Sequence, residues 1–506
     1  MRFTLILRLA IQTFFGKTKE ELVRVVDVLR KNYLTLKSAH EEMSKENQKL
    51  KEENDRLKEA IKQEKIKKVN RTSNKSSSKK ADWELKGVGN DGKGKKKKRG
   101  GKKRKGSGFK PKNKTITHRE TTRLEKCYKC GKDLSNASVL SSSKYRIIED
   151  IPQAPVALQV IEVKQEKKYC DICKEVITAS TDLAVKGMNV GMNTTIQVIY
   201  YWIYTCLSFS RISRLLTDFY SLKISTSALS KHVQKIGLLL KPVYEEILKD
   251  IKASKIIHAD ETGWKVNGKK WWLWVVGNKN AAYYTIDKSR GKDVVRKMLG
   301  EFFLGVLVVD GWKAYLYLEC EQQSCMAHLL RKIRNLHHAF PQLRSVFSFY
   351  IKFRKILRDG EKLQFQKEKL KPKIFEHRLS KLHYRLEDLL KWKNPNDLLK
   401  TIIKKVKNQQ GRILTFVEHE NVPCHNNFGE YLIRIGVLKR KISFGSKSAK
   451  GAEAYAILLS IYTTCKLRDI HFLKFLRASL THHSKLRKPL LLSQYVEQQN
   501  SINKAA

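Results

Sequence analysis

SKIIHADETGWKVNGKKWWLWVVG, residues 254–277, is the stretch from which the fold is read. An apolar β-type run, Ile256 and Ile257, leads to a carboxylate at Asp260, and after a Gly-Lys turn (Gly268, Lys269) a Trp-rich run begins at Trp271. This reads as a hairpin with an acid at its edge. Next, AAYYTID (residues 281–287) suits a third antiparallel strand and KDVVRKMLGEF (292–302) a helix crossing back over the sheet. In GVLVVDGW (305–312) the run from Val306 to Val309 is apolar at every position, as in a strand buried on both faces, and it too ends in an acid, Asp310.

If that fourth strand lies parallel beside the first, Asp260 and Asp310 sit side by side, where two carboxylates repel unless a cation lies between them. The order β-β-β-α-β is the opening of a ribonuclease-H-like α/β sheet, a fold that hosts two-metal phosphodiester chemistry. One Asp after one strand is most simply a turn former or a cap. The pairing of two at matched strand ends is what points to a site. Glu261 should point to the other side of the strand and serve a supporting role.

Composition narrows the partners. The 506 residues suffice for several domains, and 103 Lys+Arg against 49 Asp+Glu leave a formal charge of +54. That imbalance implies a polyanion. No apolar run reaches spanning length, so a membrane is not expected: residues 196–209 read as a buried core helix. Residues 1–15 resemble a secretory apolar region, yet Arg8 interrupts them and no small-residue cleavage site follows, so a leading helix is expected. Nine cysteines, with two C-x2-C pairs, suit a reducing cytoplasm with metal-bound thiolates.

Along the chain, residues 1–62 hold a leucine zipper: Leu22, Leu29, Leu36, Met43, Leu50 and Leu57 recur every seventh residue, with Val26, Tyr33, His40, Asn47, Asn54 and Ile61 at the complementary positions. Asn in such a seam fixes the register of a parallel dimer, so a homodimer is expected. A solvated single helix would not keep its apolar residues in phase. Residues 63–118 are Lys/Gly/Ser-rich and peak in a tract that includes Lys95, Lys96, Lys97, Lys98 and Arg99. They are expected to be disordered and to add salt-sensitive affinity for DNA. Residues 119–178 contain Cys127, Cys130, Cys170 and Cys173, the ligand set of a structural Zn2+ site, with strands expected at 145–151 and 158–165. Residues 179–250 are helical, and 224–236 fit either a helix-turn-helix or plain bundle packing. Within 251–445, QQSCMAH (322–328) reads as a fifth strand; Cys325 and His328 alone do not make a metal site and suit packing or a structural role near the acids. Residues 331–417 form an all-helical insertion with a break at Trp392 and Pro395. HNNFGEYLIR (425–434) opens a helix at Asn426 and Asn427, and 438–451 is a basic loop, with Arg434, Lys439, Arg440 and Lys441 as candidate phosphate contacts. Residues 446–506 read as an amphipathic helical region.

HADETGWKV (258–266), VVDGWKAY (308–315), CMAH (325–328), HNNFGEYLIR and KRKISFGSKSAKGAEAYA (439–456) resemble, in order, the blocks of the insertion sequence 66 family of transposases, over most of the chain from about Cys127. The resemblance implies a D-D-E triad, here Asp260, Asp310 and Glu430, holding Mg2+ or Mn2+. It further implies DNA cleavage and strand transfer at the ends of an insertion sequence, accessory transposition proteins as further partners, and a nucleoid-associated cytoplasmic location. The family commonly has Glu-Arg at the third acid where this chain has Glu430-Tyr431, which removes the neighbouring basic contact. The competing acids fit less well. Glu418 and Glu420 lack apolar flanks, and Glu376 and Glu387 lie in a Lys-rich helical block, whereas Phe428, Leu432 and Ile435 give the Glu430 helix an inward face. Two rival functions remain: a DNA-binding regulator without chemistry, and a nuclease of the same fold that cuts without joining. The intact acids argue against the first, because a pure binder would gain affinity by losing them.

Overall fold

The computed structural model describes residues 18–73, 154–172, 174–393 and 395–505, together with Cys130, Lys132, Asp133, Ser135 and Asn136. The expected leading helix and the basic tract 92–106 lie outside the described residues, as do Cys127 and Cys173.

Helix α1 (Lys19–Ser73) is continuous. Val26, Leu29, Tyr33, Leu36, Met43, Leu50, Leu57 and Ile61 stand exposed along it. The helix runs past residue 62, where a disordered linker was expected to begin. The reason is packing: Val69 is buried in one apolar cluster with Leu336 and Phe340, Ile66 packs against it, and the Lys65 ammonium lies 5.6 Å from the Phe340 ring. Beyond it, β1 (Lys167–Cys170) pairs antiparallel with β2 (Glu175–Thr178). The strand expected at 158–165 does not form; the pairing falls a few residues later, around the turn between the second pair of cysteines.

Four helices follow, α2 (Met192–Ile203), α3 (Phe209–Tyr220), α4 (Thr226–Leu239) and α5 (Lys241–Lys252). Ser208 and Ser225 cap α3 and α4 by accepting from Arg211 N and Ala228 N, and Leu229, Val233 and Ile236 of α4 face the core.

The sheet has five strands: β3 (Ile256–Val266), β4 (Lys269–Gly277), β5 (Ala282–Asp287), β6 (Phe302–Val309) and β7 (Glu319–Ser324), in the order β5-β4-β3-β6-β7. β3, β4 and β5 form the antiparallel meander read from the sequence, α6 (Lys292–Leu299) crosses back, and β6 lies parallel to β3 with Val306 to Val309 all buried. The hairpin turn is Asn267-Gly268, one residue earlier than expected. Both residues have positive φ, 48° and 73°, the left-handed pair that matches strand twist.

After β7 come α7 (Met326–Ala339), α8 (Arg344–Phe365), α9 (Pro372–Leu390) and α10 (Asp397–Lys407), the helical insertion, with Asn396 capping α10 past the expected break. They bury a cluster of their own that reaches β6 through Val306 and Val308. Thr415 and Phe416 then close the outer edge of β7: Thr415 Oγ1 donates to Gln322 O and Phe416 N to Gln323 Oε1.

The chain returns to the sheet in α11 (Asn427–Ser443), followed by α12 (Ala449–Leu467), α13 (Phe472–Leu486) and α14 (Leu492–Ala505). The expected amphipathic C-terminal region is overturned in α12, which is buried on every side from Ala454 to Cys465. It lies in one core with α2, α4 and the sheet, and two of its interior hydroxyls serve the other sheet edge: Ser460 Oγ accepts from Tyr284 N and Thr464 Oγ1 from Ala282 N. Two outward N–H groups of edge strand β5 are thus satisfied inside the protein. No helix of the described residues is long and apolar enough to cross a membrane.

Candidate active site

The register sets the acids. His258 of β3 pairs with Val308 of β6, so two residues on Asp260 stands level with Asp310, as the parallel arrangement required. Asp310 begins a turn in which Gly311 takes φ 85° and Trp312 N donates to Asp310 Oδ1 at 3.0 Å. Asp260 Oδ1 accepts from the next backbone amide, Glu261 N, at 2.8 Å.

The third acid arrives on α11. Leu432 and Ile433 bury its inner face, and Gly436 lies directly under Leu273 of β4, where a Cβ would collide with that side chain. Asn426, buried just before the helix, does not cap it with its side chain. Its Oδ1 lies 2.9 Å from His258 Nδ1, its Nδ2 donates to Ala259 O at 2.7 Å, and its backbone N donates to Cys325 Sγ at 3.1 Å. One residue therefore ties the start of α11 to β3 and to the end of the β6–β7 layer. Glu430, buried in the first turn of α11, faces the same space and pairs with His328 Nε2 at 3.3 Å. Cys325 and His328 thus lie beside the acids.

Electrostatics shows how closely these groups stand. Burial pushes the Asp260 carboxyl well above the usual range, and the charges of Asp310, Glu261 and Glu430 push it the same way. Burial pulls the His328 imidazolium down, but the neighbouring Cys325 and Glu430 outweigh it and hold it up at about 9. Burial likewise lowers His258 to about 4 against the bond to Asn426, so its ring is neutral at pH 7. Among the described residues no three His, Cys, Asp or Glu side chains already converge as a metal cage. The donor set still suits a hard divalent cation: the charges of Asp310, Glu261 and Glu430 all bear on Asp260, and Asp260 and Asp310 stay partly open to solvent.

Glu261, the residue after Asp260, is engaged by Arg290 and Tyr315. Its Oε1 accepts from Arg290 Nε and Nη2 at 3.1 and 2.7 Å and its Oε2 from Tyr315 Oη at 2.7 Å. Burial and the Asp310 charge raise its carboxyl, against those bonds. Sequence reasoning missed Asn426 as a bracket, and it missed Arg290 and Tyr315. For Asn426 the available signal was its place four residues before Glu430; for the other two no local pattern marks a partner.

The candidate phosphate contacts separate. Arg434 and Lys441 are exposed. Arg440 Nη1 donates to Thr262 Oγ1 at 3.0 Å and Gly263 O at 2.5 Å, which fastens α11 to β3. Lys439 contradicts its expected role: it is 3% exposed, its ammonium donates to Trp202 O and Leu207 O, and burial pushes it down to about 8. Lys95, Lys96, Lys97, Lys98 and Arg99 lie outside the described residues. Of the cysteine set, Cys130 is exposed in a turn and Cys170 ends β1.

Residues 187–454, more than half of the chain, match the family model described as "Transposase IS66 family". Two proteins of Sinorhizobium fredii (strain NBRC 101917 / NGR234) are similar. The uncharacterized protein y4qI is 24% identical over 51% of this chain and 53% of its own length. The uncharacterized protein y4hP is 22% identical over 68% of each chain. The match to the first spans about half of that relative.

Proposed function

The chain belongs to the IS66 family of transposases, and from that premise we propose that it cuts DNA at the ends of an insertion sequence and joins the freed 3′ ends to a target. What supports this is the parallel register of β3 and β6, which sets Asp260 level with Asp310 just past the end of β6, together with the Glu430 charge acting on Asp260. Such a strand order with acids at that edge is ribonuclease-H-like, and Asp260, Asp310 and Glu430 would hold divalent cations, Mg2+ or Mn2+. When bound, such cations activate the attacking oxygen and steady the leaving one.

The chain's own groups supply the rest. Trp312 N and Glu261 N each bond one oxygen of an Asp and so fix which oxygen is left for a ligand. His328 balances Glu430 when no cation is near. Asn426 holds the two layers in register while DNA is bound. Arg434 and Lys441 are the exposed cations of the α11 segment suited to a phosphate backbone, with the tract from Lys95 to Arg99 adding a sequence-blind term. Cys127, Cys130, Cys170 and Cys173 would hold Zn2+; metal content unchanged in a Cys170→Ser, Cys173→Ser chain would refute that assignment.

The test of the whole reading uses purified protein, magnesium and a duplex carrying the element's terminal sequence. Metal-dependent nicking followed by joining is expected, lost in both Asp260→Asn and Asp310→Asn. Nicking without joining would make the protein a nuclease, and nicking that survives Asp260→Asn would remove the acids from the mechanism.

A further inference from the structure

Arg290 is built into the rim of the acid cluster more firmly than the neutralisation of Glu261 requires. Its guanidinium lies between two indoles, 3.6 Å from the Trp312 ring and 4.4 Å from that of Trp272. Its backbone carbonyl accepts from Trp312 Nε1 at 3.2 Å, and the same Trp312 gives its backbone N–H to Asp310. The cation is therefore held against Trp312, the residue that closes the turn presenting Asp310. Both of its bonds go to a single carboxylate oxygen, Glu261 Oε1, while Tyr315 takes the other. Nη1 takes part in neither bond, and the side chain is 32% exposed.

We propose that Arg290 is a phosphate-binding residue of the acid cluster, held by Trp272 and Trp312 so that one edge of its fork clamps Glu261 and Nη1 receives a DNA phosphate. This deepens the transposase reading and rests on it. A planar, weakly hydrated guanidinium stacked on aromatic rings suits a phosphate oxygen better than a mobile ammonium does. The surrounding surface favours the same ligand. Lys270 lies 5.1 Å from the Trp272 ring, Lys292 lies 4.8 Å from the Tyr317 ring, and Lys313 is exposed on the Asp310 side. The nearby Asp287 turns its Oδ1 onto Ser289 N. A phosphate on Nη1 is anchored beside the carboxylates, which orients the neighbouring ester toward Asp310.

Removing Arg290 alone would strand the buried Glu261 charge. The comparison is therefore between a Glu261→Gln chain and a Glu261→Gln, Arg290→Gln chain, each checked by thermal unfolding. Affinity for a generic duplex is measured against salt without divalent cation. The second chain should lose about 0.9 from the slope of log affinity on log salt, the contribution of one phosphate, and should cut terminal duplex about a hundredfold more slowly than the first. Equal slopes in two folded chains overturn the proposal, whatever happens to cleavage. A wild-type protein that never cuts, together with a slope that still falls, would sink the transposase reading and leave the phosphate site standing. If the double variant does not fold, wild-type protein decides the matter: a generic duplex should protect Arg290 from phenylglyoxal in peptide mass spectrometry, and equal modification with and without DNA refutes the contact.

Discussion

His258 Nδ1 lies 2.9 Å from Asn426 Oδ1, a bond between the strand that carries Asp260 and the residue that precedes the helix of Glu430. With Asn426 Nδ2 committed to Ala259 O, the amide orientation is fixed, and the imidazole must donate to Oδ1. The two residues are separated by 168 positions, so the bond closes a long loop of chain between β3 and the start of α11. Asn426→Ala would leave a buried imidazole N–H and a buried carbonyl without partners, at roughly 1–3 kcal/mol for each group. Thermal unfolding should show the loss, and cleavage should slow because α11 is released from β3. A variant as stable as the wild type would show that the bracket does not hold the helix.

Much of this framework was legible beforehand, and the reasons are local. Alternation in β3 to β5 and the unbroken run from Val306 to Val309 are properties of short segments, so the meander, the crossover and the parallel fourth strand could be read, and with them the juxtaposition of Asp260 and Asp310. Long-range contacts could not. Ser460 and Thr464 look like surface positions of an amphipathic helix until the edge of β5 arrives to use them. Lys439 sits in a run of basic residues, and only the packing of α11 against the turn after α2 shows that its charge is spent on two carbonyls. The extension of α1 to Ser73 depends on the apolar cluster beneath Ile66 and Val69, in a segment whose own composition argues for a solvated chain.

The two neighbouring lysines of α11 should therefore behave differently. Lys439→Met leaves Trp202 O and Leu207 O without their donor and should cost roughly 1–3 kcal/mol of stability, with the salt dependence of DNA binding unchanged. Exposed Lys441→Met should leave the unfolding temperature near that of the wild type. If it meets a phosphate, the salt slope falls by about 0.9. A Lys439→Met chain that stays fully stable and binds DNA less tightly would restore it as a contact.

The exposed seam of α1 makes its own demand. Leu29, Leu36, Met43, Leu50 and Leu57 all stand in solvent in the single chain, a row that a lone helix has no means of covering. A peptide of residues 18–61 should be helical and dimeric by sedimentation, and Asn47→Leu with Asn54→Leu should raise its stability while admitting trimers. The unaltered peptide remaining monomeric at high micromolar concentration would end the zipper assignment.

Glu430 carries the last prediction, because it stands apart from the other candidate acids by position. Glu418 accepts a contact from His383, 3.3 Å away, and Glu420 bonds Asn421 at 3.0 Å, and both are exposed. Glu430 is buried, opens a helix whose Leu432 and Ile433 press it onto the sheet, and adds its charge to those already crowding Asp260. A carboxylate in a first helical turn is also favoured by the helix dipole, so a capping role would account for its place but not for its burial beside two other acids. Glu430→Gln keeps the shape and removes the charge. It should unbalance His328 and cost roughly 1–3 kcal/mol, leave DNA binding near normal, and reduce metal-dependent cleavage by about a thousandfold. Glu420→Gln should change none of these. Cleavage that persists in folded Glu430→Gln protein would move the third ligand elsewhere, with Glu261, already beside Asp260 but clamped by Arg290 and Tyr315, the next acid to substitute.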